Sequence, residues 1–299
     1  MEKQRFRGLA EWPTLALAGL CYGAWGLGST WLADLWLPLG VGVTALAIVL
    51  HSSLSHEVIH GHPFRNRTLS AALVFPALSL CVPYLRFRDT HLAHHRDAIL
   101  TDPYDDPESN YLDPGRWERL PRPVQAVLGA NNTLAGRLLI GPVIGQAAFM
   151  AADLRAIRSG DRSVLAGWLW HIPAVALVLF WLRGAAMPVP AYLLATYIAL
   201  SILKIRTFLE HQAHERVRGR TVIIEDRGPL AFLFLNNNLH VVHHMHPAVP
   251  WYRLPRLYAG DPGRYLGRNE GYRFRSYAEV FRRFLFRAKD PVPHPLWRR

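Results

Sequence analysis

The chain has 299 residues, of which 51% are apolar and only 19% charged, a balance that excludes intrinsic disorder. Two isolated cysteines, Cys21 and Cys81, exclude a disulfide framework, a thiolate zinc site and an iron–sulfur cluster. The net charge of +12 comes almost wholly from arginines that flank long uncharged apolar runs, a pattern of membrane proteins that argues against nucleic acid as a partner.

The first apolar run, residues 14–32, follows a basic MEKQRFR start, and a second, residues 36–54, begins after only three residues. The close spacing, with no convincing cleavage site between, predicts an uncleaved anchor rather than a signal peptide. Two more runs, 164–182 and 188–206, are joined by Arg183–Met187. Each run is 19 residues long, close to the roughly 20 that a helix needs to cross about 30 Å of hydrocarbon. Together they predict an all-α integral membrane protein with two transmembrane helical hairpins, about four spans in all. The short turns hold one basic residue, Arg183, so both termini and the long polar segments are expected in the cytoplasm. Residues 69–85 and 136–152 are apolar but interrupted by Pro76, Pro83 and Gly141-Pro142, and predict interfacial or re-entrant helices. No linker or repeat divides the chain, so residues 1–299 are expected to form one domain, with a basic, aromatic-rich cytosolic tail over about 251–299 resting at the membrane interface.

Histidines cluster at the ends of these runs. His56-Glu57-Val58-Ile59-His60-Gly61-His62 follows the second span, His91-Leu92-Ala93-His94-His95 lies further on, and His240-Val241-Val242-His243-His244 comes after the second hairpin. Glu210-His211 directly follows the last span. On a helix His56 and His60 share a face, and the first histidine of each HxxHH aligns with the third and fourth residues on, so all three imidazoles of a box are expected to converge. The boxes supply eight ring systems and His211 a ninth. One metal takes about four such ligands, so the set implies two metals of the iron, copper, nickel or zinc type. For all boxes to serve one centre, an even number of membrane crossings must separate them, which agrees with four spans and places a di-metal cap on the cytosolic side.

The boxes HxxxH, HxxHH and HxxHH, in this order around two hydrophobic hairpins, resemble the membrane-bound fatty acid desaturase and hydroxylase superfamily over about residues 36–260. The stretches Arg96–Tyr111 and 243–255 (HHMHPAVPWYRLP) are similar to those of bacterial acyl-lipid desaturases. The resemblance implies two iron ions, O2 as co-substrate, and abstraction of hydrogen from an unactivated C–H bond. It carries metal ligation to His56, His60, His91, His94, His95, His240, His243 and His244, with His211 as the ninth ligand. Outer hydrogen-bond partners of these imidazoles are expected at His62, Asp97, Glu210 and Asn238. The substrate expected is a membrane lipid or acyl chain, and the product an unsaturated acyl chain. A hydroxylase or ketolase of a lipid or carotenoid uses the same ligands and is the alternative.

No GxGxxG, CxxCH or cysteine cluster is present, so electrons are expected from a separate ferredoxin-, rubredoxin- or cytochrome-type carrier with its reductase. The location expected is a bacterial inner membrane. HEVIH also fits the HExxH zinc-protease pattern, a reading that leaves both HxxHH boxes without a role. A metal transporter would need ionisable groups inside the spans, where only His51 and His171 occur apart from Lys204 and Arg206 at the inner end. His294, isolated in the tail, is expected to bind no metal.

Overall fold

The computed structural model describes residues 10–297, except for the side chain of Asp97. The basic start MEKQRFR therefore lies outside the described residues. In chain order the helices that matter here are α1 (Trp12–Ser29), α2 (Leu37–Ile59), α3 (Tyr84–His94), α4 (Gly141–Arg158), α5 (Arg162–Arg183), α6 (Val189–Thr207), α7 (His240–Met245) and α8 (Tyr277–Phe284). A single parallel pair of two-residue strands, β1 (Ile223–Ile224) and β2 (Arg273–Phe274), is the only sheet among the described residues. The chain folds as two compact units. Of the described residues, one comprises 10–88, 145–202 and 248–252, and the other 89–144, 203–247 and 253–297.

Three helices are long and apolar enough to cross a membrane: α2, α5 and α6. They correspond to three of the four expected spans. The fourth, α1, is helical for 18 residues, but its glycines, tryptophans and tyrosine dilute its hydropathy and it is not among the three. The interrupted stretch 69–85 does not form one helix. A short helix ends at Leu73, and α3 starts only after Pro83, as two prolines without amide hydrogens require.

In the first unit α1 packs on α2 through small residues. A Cβ on Gly28 would stand 2.6 Å from Thr44 Oγ1, and one on Gly40 2.6 Å from the Ala33 Cα, so both positions need glycine for the backbones to meet. Trp31 and Trp36 are exposed at the turn between them. Ser29 binds this hairpin to the next: its carbonyl accepts from Met187 N and its hydroxyl from Trp181 Nε1, both at 3.0 Å. Trp25 Nε1 donates to Tyr192 Oη at 2.9 Å, and Tyr192 donates to Leu78 O at 2.7 Å. On α5 and α6, Leu169, Trp170, Ile172, Phe180, Leu193 and Leu194 point outward, an apolar surface of the kind that lipid covers.

The second unit is built around short segments. Ile223 N and Glu225 N donate to Tyr272 O and Phe274 O, while Ile224 N donates to Asn238 O, so β1 connects β2 to the turn that precedes α7. The amphipathic α8 buries Tyr277, Val280 and Phe284 and leaves Arg282 and Arg283 outward. The segment after it does not trail off. Leu112 N donates to Val292 O and His294 N to Leu112 O, so residues 289–294 run back along the loop that follows α3.

Candidate metal centre

The first two histidine boxes lie at helix ends, and the third, His240–His244, makes up most of the short helix α7. In the first unit α2 ends at Ile59 with His60 as its C-cap, and Gly61, at φ 98°, supplies the left-handed residue that closes it. His56 and His60 are one turn apart on that helix, with ring centroids 4.9 Å apart. His62, just beyond, is buried and its Nδ1 lies 2.8 Å from Glu11 Oε1. Glu57, between the two histidines in sequence, accepts from Trp251 N at 3.1 Å.

In the second unit the imidazoles of α3 and α7 form two groups. His94, His211, His240 and His244 have ligand nitrogens that all lie within 4.8 Å of one another. His211 Nε2 is 2.8 Å from His94 Nε2 and 3.1 Å from His240 Nε2. Around the other centre, His95 Nε2 is 2.9 Å from His91 Nε2 and 3.2 Å from His243 Nε2. This corrects the expectation that each HxxHH converges as a triad. His91 pairs with His95 and His240 with His244, whereas His94 and His243 turn to the opposite group. The reason is helical: neighbours in sequence are about 100° apart around the axis, while residues four apart share a face. One helix therefore feeds two centres.

These spacings suit a metal. Nitrogens bound to one ion at about 2.1 Å stand about 3 Å apart. A single proton shared between two nitrogens cannot account for His211 Nε2 or His95 Nε2 meeting two neighbours each. The opposite ring nitrogens are held from outside. His94 Nδ1 lies 2.8 Å from Asp106 Oδ1, His91 Nδ1 3.1 Å from Glu108 Oε1, and His240 Nδ1 3.1 Å from Asn237 Oδ1. Such partners place the proton on Nδ1 and leave the Nε2 lone pair directed inward.

Local backbone geometry delivers these partners. Thr101, at φ 69°, is a β-branched residue in the left-handed region, and its N–H donates to Asp106 Oδ2 at 2.9 Å. Leu235 and Asn236, at φ 52° and 57°, make the turn from which Asn237 reaches His240. Asn237 Nδ2 also donates to Glu210 Oε1 at 3.1 Å, and Arg206 Nε lies 3.2 Å from the same oxygen.

Electrostatics follow the same arrangement. Burial, reinforced by neighbouring histidines, pushes His211 and His240 well below the usual imidazole range, so both are neutral and able to donate a lone pair. Burial opposes charge on His94 too, but Glu108 and Asp106 outweigh it and lift it to about 9, so a metal there displaces a proton. Glu108 is held far below the carboxylate range: burial would raise it, and His94 and His91 overcome that. Burial raises Glu210 against the pull of Arg206.

Among the residues expected as outer partners, Glu210 lies beside Asn237 and Arg206, His62 binds Glu11, and Asn238 gives its amide to the carbonyls of Ile224 and Asp226 at 2.6 and 3.1 Å. The side chain of Asp97 lies outside the described residues. Sequence reading missed Glu108 and Asn237. The Asp-Asp-Pro-Glu run after the second box and the three successive asparagines before the third were the available signals.

Comparison with known proteins agrees with this chemistry. Residues 29–276 match the family model described as fatty acid desaturase. A β-carotene ketolase from Paracoccus sp. (strain N81106 / MBIC 01143) is 29% identical over 255 residues, covering 84% of this chain and 82% of the relative. Another, from Paracoccus sp. (strain PC1), is 30% identical over 226 residues, covering 74% of each. With the match spanning most of its length and three apolar helices long enough to cross a bilayer, this chain is an integral membrane oxidoreductase that belongs to the fatty acid desaturase family.

Proposed function

We propose that the protein is an O2-dependent di-iron oxidoreductase that oxidises a C–H bond of a long apolar lipid, with the ring methylene of a carotenoid as the first candidate substrate and a ketone as its product. The observation that carries the chemistry is the pair of imidazole groups in which His94, His91 and His240 are buried and have their Nδ1 atoms held by Asp106, Glu108 and Asn237. The similarity to two β-carotene ketolases favours oxygen insertion over the desaturation that the sequence alone suggested. The acyl-lipid desaturase-like stretches Arg96–Tyr111 and 243–255 support acyl-chain desaturation as the second reading.

The ligands assigned to the two irons are His91, His95 and His243 for one and His94, His211, His240 and His244 for the other; the family pattern adds His56 and His60 as further ligands of the di-iron site. When bound, iron would supply the O2 activation needed to break a C–H bond that no acid or base side chain can break. The protein's residues do the rest. Asp106 and Glu108 fix the imidazoles of α3 in one tautomer and orientation, and Asn237 does the same on α7. Burial of both groups keeps water from the oxidising centre. An apolar span surface admits substrate from the bilayer. We further assign four spans, α1 included, a cytosolic metal cap in a bacterial inner membrane, and a separate soluble electron donor whose acidic surface meets the arginine-rich segments, an encounter that rising salt should weaken.

The test is mass spectrometry of lipids and carotenoids from a β-carotene-producing host that expresses the wild type or His95→Ala. Carotenoids that gain one oxygen and lose two hydrogens only with the wild type support ketolation. Acyl chains that lose two hydrogens instead establish the desaturase reading. Identical products in the two strains, with a reductase and donor co-expressed, overturn both.

A further inference from the structure

We propose that the C-terminal segment, residues 289–294, is a strap that positions His211 through Lys289 and Asp290; the inference rests on the assignment of His211 as a metal ligand. His211 has no helix beneath it. The backbone of segment 210–213 is held instead by four hydrogen bonds, two to backbone and two to side-chain partners, and they come from two sides. On one side Val222 N donates to Glu210 O at 3.1 Å and Gln212 N donates to Arg220 O at 2.9 Å. On the other, Lys289 Nζ donates to the His211 carbonyl, and Ala213 N donates to Tyr111 Oη at 2.9 Å. Tyr111 in turn donates to Asp290 Oδ2. Two adjacent strap residues thus bracket the ligand from its carbonyl and from the amide two residues on.

The strap itself is anchored away from the metal site. Lys289 N donates to Asn132 O at 3.1 Å, Asn132 Nδ2 donates to Asp290 O, and Leu112 pairs with Val292 and His294 through its backbone. Lys289 is nearly buried, with 9% of its side chain exposed, and its ammonium lies 3.7 Å from Asp290 Oδ2 and 5.9 Å from the Tyr111 ring centre. A buried ammonium is retained only where it is paired and hydrogen-bonded. Here it is paired with the Asp290 carboxylate and donates to the ligand's own carbonyl, a charge-assisted bond stronger than an amide could supply. Removing it frees one edge of the segment and lets the His211 imidazole leave the position 2.8 Å from His94 Nε2.

The experiment uses the full-length protein purified with iron, comparing wild type, Lys289→Met, Lys289→Arg, His211→Ala and Trp297→Ala. Trp297 packs on Tyr104 at the far end of the strap and touches nothing at His211, so it reports general loosening. Iron is counted per chain, its release to a chelator is timed, and Mössbauer spectra separate the two sites. The expected result is that Lys289→Met speeds loss of one iron about tenfold, the size of effect that outer supports of a ligand produce, and perturbs the same Mössbauer component as His211→Ala. Lys289→Arg should restore most of it, and Trp297→Ala should leave both components as in the wild type. Iron loss in His211→Ala but wild-type behaviour in Lys289→Met overturns the strap. Equal effects of Lys289→Met and Trp297→Ala also overturn it, since that is loosening without positioning. Wild-type iron and spectra in His211→Ala would instead overturn the ligand assignment itself.

Discussion

His94 and Asp106, twelve residues apart, meet in a hydrogen bond of 2.8 Å between imidazole Nδ1 and carboxylate, with both side chains almost wholly buried. Asp106 also accepts from Thr101 N at 2.9 Å and from Glu108 N at 3.0 Å, so one carboxylate organises the loop that returns to the helix it supports. Its acceptor oxygens have no solvent to fall back on, and neither has the His94 Nδ1–H.

Asp106→Ala should therefore lose two functions at once, ligand orientation and loop closure. Iron affinity is expected to fall by roughly 10- to 100-fold. Asp106→Asn keeps one acceptor oxygen and should fall less. Chelator competition on purified protein measures both, and unchanged affinity in Asp106→Ala would show that His94 is oriented by something else.

Removing the metal should destabilise the protein. The imidazoles of the second unit converge at about 3 Å in a buried site, an arrangement that costs desolvation and is offset when an ion binds. At a free iron concentration of about one hundred times Kd, binding contributes about 2.7 kcal/mol. For a chain of 299 residues, with an unfolding entropy of about 0.6 kcal/mol/K, that is a fall in Tm of roughly 4 °C on chelation, recovered on adding ferrous iron. A Tm indifferent to chelator, with iron shown to have left, would contradict the assignment of these histidines as the binding site.

How much of this was legible in the sequence follows from the range of each interaction. Helix length and apolar runs are local, so α2, α5 and α6 could be read directly. The histidine boxes could be read because residues three and four apart share a helix face. The division of each box between two centres could not, since His94 and His95 differ only by rotation about α3 and their partners lie far along the chain. Outer partners are set by loops. Asn237 holds His240 while its neighbour Asn238 turns to backbone carbonyls, a distinction that hangs on the left-handed residues before them. His294, expected to matter little, lies buried with its Nε2 3.2 Å from Thr101 Oγ1. The strap that contains it has no local signature at all, because its hydrogen bonds join residues more than 75 positions apart.

A last prediction concerns the first unit, where Arg86 makes a two-pronged ion pair with Asp153. Arg86 Nε and Nη2 each donate to a different Asp153 oxygen at 2.9 Å, and Trp168 Nε1 donates to the same carboxylate at 2.8 Å. Asp153 is only 3% exposed. Removing one partner of a buried ion pair is costly, so Asp153→Ala should destabilise by about 3–5 kcal/mol. Arg86→Ala with Asp153→Ala should cost less than the two single changes together, because the pair can be broken only once. Gly167 gives an independent check. A Cβ there would stand 2.9 Å from Arg86 Cδ and 3.0 Å from Cγ, and the pinned guanidinium leaves that side chain little room to move. Gly167→Ala is expected to cost about 1–3 kcal/mol by overpacking, and most of that cost should vanish when Arg86 is already alanine. Thermal unfolding of the three single and two double variants in one detergent measures the coupling. Strict additivity between Gly167→Ala and Arg86→Ala would show that the glycine is required for something other than the passage of Arg86.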